Sequence, residues 1–403
     1  MARLDRIFDS FVNNSLFKNK FVLQTNYTPE TIPHRDKQIE QIAAILAPAL
    51  RRERTSNLFI YGKPGTGKTL SVHYVKNELL KRNNETNNLK IEYINCKLKK
   101  VSDTEYRILA ELIKKLGGSV PATGLPTDQV YNKFIEIIDK EKQLLILVFD
   151  EIDQAIKKIS DNFLYNLTRL NTELSKAQIS IVGISNDLTF LDNLDPRVRS
   201  SLSEEEIVFP PYNALQLQDI LKERASKAFK EGVIDDGAIS KCAAFAAREH
   251  GDARRALDLL RIAGEIAERT SSKKITLEHI DMANEKIEKE KILDIVKTEP
   301  KQFQLALFSI IQLYENNLKE KIKEPIFTGD VYNRYQDLCQ KTKTEILTQR
   351  RMSDILNEFD MMGIITAPVI SKGRQGRMRQ IKLAIPIQLI GKAKEILIES
   401  LVL

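Results

Sequence analysis

The stretch Gly62-Lys-Pro-Gly-Thr-Gly-Lys-Thr69 decides the fold that the sequence predicts. It follows the apolar run Leu58-Phe59-Ile60-Tyr61 and precedes apolar residues at helical spacing, Val72, Val75 and Leu79. The predicted order is therefore a strand, a glycine-rich loop and a helix, which is the context of a phosphate-binding loop. Glycines let main-chain N–H groups close around phosphate oxygens without Cβ clashes. An ordinary glycine turn would not require this strand, this helix and all fixed positions of the pattern together.

The loop also predicts the charges that a phosphate chain needs. Lys68 would supply positive charge to the phosphates, and the Thr69 hydroxyl would bind Mg²⁺. The predicted phosphate-binding residues are Gly62, Lys63, Pro64, Gly65, Thr66, Gly67, Lys68 and Thr69.

A second apolar run, residues 144–149, ends in Asp150 and Glu151. A continuous apolar run is typical of a strand buried on both faces of a parallel sheet, and ligands bind at the carboxyl ends of such strands. We expect Asp150 to hold Mg²⁺ and Glu151 to orient or deprotonate the attacking water, since phosphoryl transfer depends on positioning and charge neutralisation. The next apolar run ends in Asn186, whose amide could hold that water or the terminal phosphate.

The composition indicates a globular protein of several domains. A chain of 403 residues exceeds the roughly 250–300 residues at which single cores stop growing, so we expect three domains. No apolar run approaches the roughly 20 residues that span a bilayer, and no secretory pattern opens the chain, which predicts a cytoplasmic protein. Cys96, Cys242 and Cys339 are scattered, which fits a reducing compartment. The histidines do not join them at the spacing of zinc ligands.

Residues 1–35 read as an arm in front of the first helix. We expect a helical turn around Phe8, Phe11 and Val12 and a more extended stretch at residues 17–23. The position of the arm before the phosphate loop leaves two roles open, covering a nucleotide base or plain packing.

The chain between Thr69 and Asp150 is longer than one crossover needs. It holds two further helical patterns, residues 103–116 and 127–138, where a single helix can connect parallel strands. We interpret the extra helix as an insertion, and insertions on rigid frames often bind partners. Residues 213–290 show only helical patterns, which predicts a small helical lid.

The last part of the chain has the order of a winged helix-turn-helix. Three helical patterns, at residues 303–313, 329–339 and 345–361, precede two strand patterns, 364–370 and 379–385, that flank a basic tip. The third helix would face a major groove. The two strands and the tip between them would form the wing, which would meet phosphates or a minor groove.

The charge of residues 301–403 supports this interpretation. They hold 16 Lys and Arg against 11 Asp and Glu, an excess that favours a polyanionic partner. The predicted DNA-binding residues are Gln349, Arg350, Arg351, Lys372, Arg374, Arg377 and Arg379. A winged helix that binds protein is the alternative.

In this order the motifs resemble an AAA+ ATPase, and more closely the archaeal replication initiators of the origin-recognition and cell-division-cycle-six type. The stretches that carry the resemblance are Pro33-His-Arg-Asp36, the loop at 62–69, Leu194-Asp-Pro-Arg-Val-Arg-Ser-Ser-Leu202, Phe209-Pro-Pro-Tyr212, Gly251-Asp-Ala-Arg-Arg-Ala-Leu-Asp-Leu-Leu260 and the winged helix. The resemblance covers essentially the whole chain. It implies an α/β fold, a P-loop parallel sheet base with a helical lid, followed by an α+β winged-helix domain.

The resemblance implies domain limits and a bound cofactor. The base would be residues 1–210 with an insertion near 100–131 that contacts DNA, the lid 211–292 and the winged helix 298–403. ATP or ADP with Mg²⁺ would lie between base and lid.

The resemblance also assigns roles to single residues. Tyr212 and Arg224 would join the phosphate loop at the nucleotide. Arg254 matches the lid arginine called sensor two, which reads the terminal phosphate, and Asn186 matches sensor one. Eukaryotic relatives often carry an arginine finger in a Ser-Arg pair, whereas this chain has Ser200-Ser201 at that step. Arg197 and Arg199 stay candidates for the finger, and we expect a weak ATPase.

The function implied is an ATP-dependent replication initiator. It would bind double-stranded origin DNA and help to load the replicative helicase, with other initiator subunits as partners and no membrane. The alternatives are an ATP-switched transcription regulator and a clamp-loader-like AAA+ ATPase. The inserted helices and the winged helix favour the initiator, because clamp loaders normally lack both.

Overall fold

The computed structural model describes residues 15–83, 88–97, 104–121, 124–202, 204–320, 324–371 and 377–401. Contacts divide the chain into two compact units, Met1–Ile280 and Asp281–Leu403. In the described residues, no helix has both the length and the apolar composition needed to cross a membrane.

A five-stranded parallel sheet lies in the first unit, in the order β2-β3-β4-β1-β5. The strands are β1 Asn57–Gly62, β2 Leu89–Asn95, β3 Leu144–Asp150, β4 Gln178–Ser185 and β5 Glu204–Phe209. The register pairs Asn95 with Asp150, and Asp150 with Ile184. The strands therefore end together, which brings the phosphate loop after β1, Asp150 and Asn186 to one edge of the sheet.

Successive residues of a strand point to opposite faces of the sheet. Both faces of this sheet carry apolar side chains, and helices cover both. Leu145 and Leu147 belong to the apolar core on one face, whereas Leu144 and Ile146 belong to the core on the other. The helices before the lid are α1 Asp36–Leu46, α2 Lys68–Arg82, α3 Glu105–Lys115, α4 Thr127–Ile138, α5 Ile152–Ile159, α6 Asn162–Glu173 and α7 Pro196–Leu202. Both helical patterns predicted between the loop and Asp150 are confirmed as α3 and α4. They pack into the first of the two cores.

After β5, the first unit continues as helices. Its helices are α8 Ala214–Ala228, α9 Asp236–Arg248 and α10 Ala253–Arg269, and α11 Leu277–Thr298 begins there. Asn213 and Gln216 form a capping box at the start of α8, and Asn213 lies two residues after Pro211.

The arm lies on these helices. Phe17 forms a bridge with Phe229, and the two rings stack with centroids 4.6 Å apart. The Glu268 carboxylate accepts from the Leu16 N–H at 2.8 Å. The extended conformation expected at residues 17–23 is wrong in part, because Lys20–Leu23 is a 3₁₀ helix that the Asn19 side chain caps. The predicted turn around Phe8, Phe11 and Val12 lies outside the described residues.

The second unit has the helices and strands of a winged helix. Its helices are α12 Lys301–Lys319, α13 Thr328–Lys341, α14 Gln349–Met361 and α15 Ile387–Leu401. Its strands are β6 Ile326–Phe327, β7 Ile365–Thr366, β8 Val369–Ser371 and β9 Arg377–Leu383. The first three strands all pair antiparallel with β9.

The three predicted helices and the hairpin are confirmed with three differences. The first predicted strand, residues 364–370, is divided into β7 and β8. The third helix starts at Gln349 rather than at residue 345, because the Thr348 hydroxyl caps it by accepting from the Arg351 N–H. The sequence analysis did not predict α15, which buries Ala393 and Leu397 in the core of this unit.

Candidate functional site

A cavity of about 370 Å³ opens at the carboxyl edge of the parallel sheet. The phosphate loop, the ends of β2 and β3, the arm and helices α8 and α10 supply its walls. It is therefore bounded by sheet on one side and by the helical residues after Tyr212 on the other.

Two glycines of the phosphate loop adopt backbone angles that favour glycine. Gly65 has φ of 71° and Gly67 has φ of 92°. A Cβ at Gly67 would lie 2.9 Å from the Tyr212 hydroxyl, so no larger residue fits between loop and tyrosine. Helix α2 begins directly after Gly67, so its free N–H groups and positive dipole end face the cavity.

Lys68 folds back over the loop. Its Nζ donates to the carbonyl oxygens of Gly62 at 2.7 Å and Lys63 at 2.9 Å, and to Asn186 Oδ1 at 2.9 Å. Burial lowers the pKa of the Lys68 ammonium to about 8, and the nearby Asp150 carboxylate opposes this shift. The predicted loop lysine and Asn186 thus meet in one hydrogen-bonded group.

Asp150 is buried and receives three hydrogen bonds. Thr69 Oγ1 donates to Asp150 Oδ2 at 2.9 Å, and the Tyr93 hydroxyl donates to the same oxygen at 2.6 Å. The Glu151 N–H donates to the other carboxylate oxygen at 2.9 Å. One carboxylate beside one hydroxyl fits Mg²⁺, which prefers oxygen ligands and is usually held by one or two carboxylates together with substrate phosphates. The Thr69 and Asp150 oxygens would hold that ion.

Glu151 lies in the left-handed region, with φ of 54°. This conformation turns the chain sharply between β3 and α5, so the Glu151 side chain reaches the cavity wall. Its Oε2 lies 3.7 Å from Lys97 Nζ, at the end of β2. Behind it, buried Asp153 accepts from the Ser185 hydroxyl at 3.2 Å and holds the end of β4.

Helix α10 brings Arg254 to the cavity. The Asp252 carboxylate caps this helix by accepting from the Arg254 N–H at 2.8 Å. Arg254 lines the cavity, whereas Arg255 Nη2 bonds to Glu249 at 3.1 Å instead. The Ala253 N–H donates to the Gly65 carbonyl at 3.2 Å, so the start of α10 touches the phosphate loop.

The family comparisons agree with this geometry. A model described as "Cdc6 AAA+ ATPase-type lid domain" matches residues 218–285, one described as "CDC6, C terminal winged helix domain" matches 294–393, and one described as "AAA domain" matches 51–190. An ORC1-type DNA replication protein of Thermococcus onnurineus is 52% identical over 386 residues, which are 94% of this chain and 91% of that protein. The chain belongs to the ORC1/Cdc6 family of replication proteins. The predicted AAA+ fold with lid and winged-helix domain is confirmed.

Two other relatives extend the match. An ORC1-type DNA replication protein 1 of Methanosarcina acetivorans is 49% identical over 400 residues, which are 98% of this chain and 94% of that protein. The solved structure of the Aeropyrum pernix ORC1 protein in complex with DNA is 41% identical with a TM-score of 0.79, and the match covers 95% of this chain and 97% of that one.

In this ORC1/Cdc6 chain, Tyr212 and Arg224 both line the cavity. Arg224 is buried and donates to the Val22 carbonyl at 3.3 Å, and its guanidinium lies 4.4 Å from the centre of the Tyr27 ring. The arm therefore forms part of the wall, and α8 holds it there. The position allows the arm to cover a nucleotide base, one of the two roles left open by the sequence.

Arg35 is the main residue to which the sequence analysis gave no role. It is 2% exposed and has three carbonyl acceptors, Thr66 at 2.8 Å, Pro210 at 2.6 Å and His34 at 3.1 Å. Its guanidinium lies 3.8 Å from the centre of the Tyr212 ring. The only sequence signal was its place in the Pro33-His-Arg-Asp36 stretch. Tyr93 and Lys97 were also missed, since neither belongs to a motif.

The two arginine-finger candidates do not line the cavity of their own chain. Arg197 makes two bonds to the Asp195 carboxylate, at 3.0 and 2.9 Å, and is exposed. Arg199 Nη1 bonds to Asp192 at 2.9 Å.

Among the predicted DNA-binding residues, those whose side chains the structure describes lie on α14 and β9. Gln349, Arg350 and Arg351 are exposed in the first turn of α14, and Arg351 lies 3.8 Å from Asp354. On β9, Arg379 donates to the Asn357 side chain of α14. Lys372, Arg374 and the side chain of Arg377 lie outside the described residues.

Proposed function

We propose that this chain is an ATP-dependent replication initiator that binds double-stranded origin DNA and helps to load the replicative helicase. The cavity that gathers Lys68, Glu151 and Arg254 around the phosphate loop is the observation that carries the proposal. Membership of the ORC1/Cdc6 family supports the role in replication. The DNA held by the Aeropyrum pernix relative supports DNA as the partner.

The loop would bind the phosphate chain of ATP. The N–H groups at the start of α2 face the cavity, and the Lys68 ammonium lies among acceptors that phosphate oxygens can replace. The Arg35 bond to the Thr66 carbonyl fixes the following peptide plane. The Gly67 N–H lies in the same plane and points away from that carbonyl, so the Arg35 bond fixes its direction as well.

Hydrolysis would use the polar groups around the far end of this phosphate chain. Mg²⁺, when bound by Thr69 and Asp150, would neutralise phosphate charge. The Glu151 carboxylate would position the attacking water and accept its proton, and the Asn186 amide would hold the water or the terminal phosphate. Arg254, from the lid, would contact the terminal phosphate, so that lid closure depends on ATP.

We propose a weak ATPase. Arg197 and Arg199 each bond to a carboxylate of their own chain, so either would have to leave that partner to act on a neighbouring subunit. A lone chain would therefore lack the arginine that accelerates phosphoryl transfer in trans.

DNA would meet the winged helix and the inserted helices. The first turn of α14 offers exposed Gln349 and Arg350, suited to base edges, and the wing offers basic residues suited to phosphates. We propose the domain limits 1–210, 211–292 and 298–403 for base, lid and winged helix. Replicative helicase and other initiator subunits are the further partners proposed.

Two measurements test this function. Lys68→Ala should abolish ATP binding by the full chain, while Lys140→Ala, an exposed lysine after α4, should leave it unchanged. A footprint of the chain on its own genome's DNA with ATP should protect a replication origin. Protection confined to promoters would favour the transcription regulator, and no site-specific protection would favour a clamp-loader-like ATPase.

A further inference from the structure

Tyr93 lines the cavity, and its hydroxyl bonds to the carboxylate at the centre of the site. It donates to Asp150 Oδ2 at 2.6 Å, the same oxygen that accepts from Thr69 Oγ1 at 2.9 Å. Tyr93 belongs to β2, and the register places it two residues before Asn95, the partner of Asp150 in β3. The hydroxyl therefore comes from a different element than the phosphate loop or β3.

The tyrosine ring packs against the helix that follows the phosphate loop. The ring is half-buried and lies against His73 of α2, with ring centroids 4.5 Å apart. A phenol has one hydrogen to donate, and here that hydrogen goes to Asp150.

A bound nucleotide would affect the two hydrogen bonds to Asp150 Oδ2 differently. Thr69 belongs to the phosphate loop, and its hydroxyl oxygen is the group expected to turn to the metal ion. Tyr93 belongs to β2 and not to the loop, so its bond can persist when Thr69 turns to the metal ion. Outer hydrogen bonds of this kind fix the orientation of a ligand and tune its affinity for metal.

We propose that Tyr93 is a positioning residue that orients the Asp150 carboxylate for the divalent cation of a bound nucleotide. The inference rests on the proposed function, because it needs MgATP as the ligand. Tyr93 does not touch the phosphates in this account. It acts through Asp150, and its effect should appear in the affinity for the cation rather than in the affinity for metal-free nucleotide.

The test compares the full chain with Tyr93→Phe and with a matched control, Tyr74→Phe. Tyr74 is exposed on α2, so its hydroxyl is not needed in the site. Binding of a fluorescent ATP analogue is measured first in EDTA and then across a Mg²⁺ titration. We expect Tyr93→Phe to bind the analogue in EDTA as the wild type does and to need about tenfold more Mg²⁺ for the half-maximal response. Tyr74→Phe should follow the wild-type curve.

Three other results would overturn the inference. An unchanged Mg²⁺ midpoint in Tyr93→Phe would show that the hydroxyl does not act on the cation. Equal weakening in EDTA and in Mg²⁺ would show that the hydroxyl supports the nucleotide pocket as a whole and not the cation site. A wild-type chain that binds no nucleotide would defeat the proposed function and this inference together, whereas the first two results leave the proposed function standing.

Discussion

Lys97 Nζ lies 3.7 Å from Glu151 Oε2, so the carboxylate proposed to position water is paired with a cation at the end of β2. The Lys97 side chain is 73% exposed and that of Glu151 is 20% exposed, so water weakens this pair. Pairs of this kind contribute about 0.2–1 kcal/mol. The ion pair is therefore strong enough to bias the position of Glu151 and weak enough to break during turnover.

Removal of this pair should raise ATP hydrolysis. We expect Lys97→Ala to increase the turnover rate by up to about fivefold, which corresponds to a pair worth about 1 kcal/mol. Lys140→Ala is the control.

Glu151→Gln should keep ATP binding and lose turnover, and normal hydrolysis in that variant would mean that Glu151 has no role in the reaction.

The two adjacent lid arginines should differ in function. Arg254 lines the cavity, whereas Arg255 bonds to Glu249. Hydrogen bonds to charged groups contribute about 1.5–3 kcal/mol, so Arg254→Ala should reduce the preference for ATP over ADP by about tenfold or more. Arg255→Ala should leave that preference intact. Equal loss in both variants, measured by calorimetry with each nucleotide, would contradict the assignment.

Replacement of Arg35 should couple a loss of stability to a loss of nucleotide affinity. Arg35→Met leaves the Thr66 and Pro210 carbonyls without this donor, and an unsatisfied buried group costs about 1–3 kcal/mol. Arg35→Lys should recover little of the lost stability or ATP affinity, because an ammonium lacks the planar fork that reaches both carbonyls. Thermal unfolding with and without ATP checks this, with exposed Arg51→Lys as control. A wild-type ATP affinity in Arg35→Met would exclude a role at the loop.

The lowered pKa of Lys68 predicts a pH dependence of ATP binding. The ammonium is charged below about pH 8 and neutral above it. Phosphates favour the charged form, so bound ATP should raise this pKa, and affinity should fall as pH rises above about 8. The slope should not exceed one log unit per pH unit. Calorimetry at pH 9 in two buffers of different ionisation enthalpy should detect proton uptake, and its absence would contradict the lowered pKa.

Different parts of the winged helix should determine the sequence preference and the general affinity for DNA. Each lost phosphate contact reduces the slope of log affinity against log salt by about one unit, so Arg374→Ala with Arg377→Ala should reduce it by about two on any DNA. Arg350→Ala should instead relax sequence preference, since base contacts specify. Lys392→Ala, exposed on α15, is the control. Identical effects of the α14 and wing variants would contradict this division.

Local patterns predicted much of the fold and part of the site. The loop at 62–69, the apolar runs and the spacing of apolar residues are short-range features, and they gave the parallel sheet, the lid helices and the hydroxyl of Thr69 beside Asp150. They also placed Asn186 at the same edge, because parallel strands that end in register bring their termini together.

Long-range contacts were decided by the tertiary structure. Arg35 bonds to Thr66, 31 residues away, and to Pro210, 175 residues away. Contacts between such distant residues leave no periodic pattern in the sequence. The arm packs on the lid through Phe17 and Phe229 for the same reason.

The sequence by itself determined which residues we propose for the chemistry of the phosphate site, because a glycine loop, a lysine and a strand-end carboxylate are chemically specified by type and spacing. Only the tertiary structure decided which other groups contact them. Tyr93 bonds to Asp150, Lys97 lies beside Glu151 and Arg35 bonds to the loop, and these contacts depend on how separate elements pack.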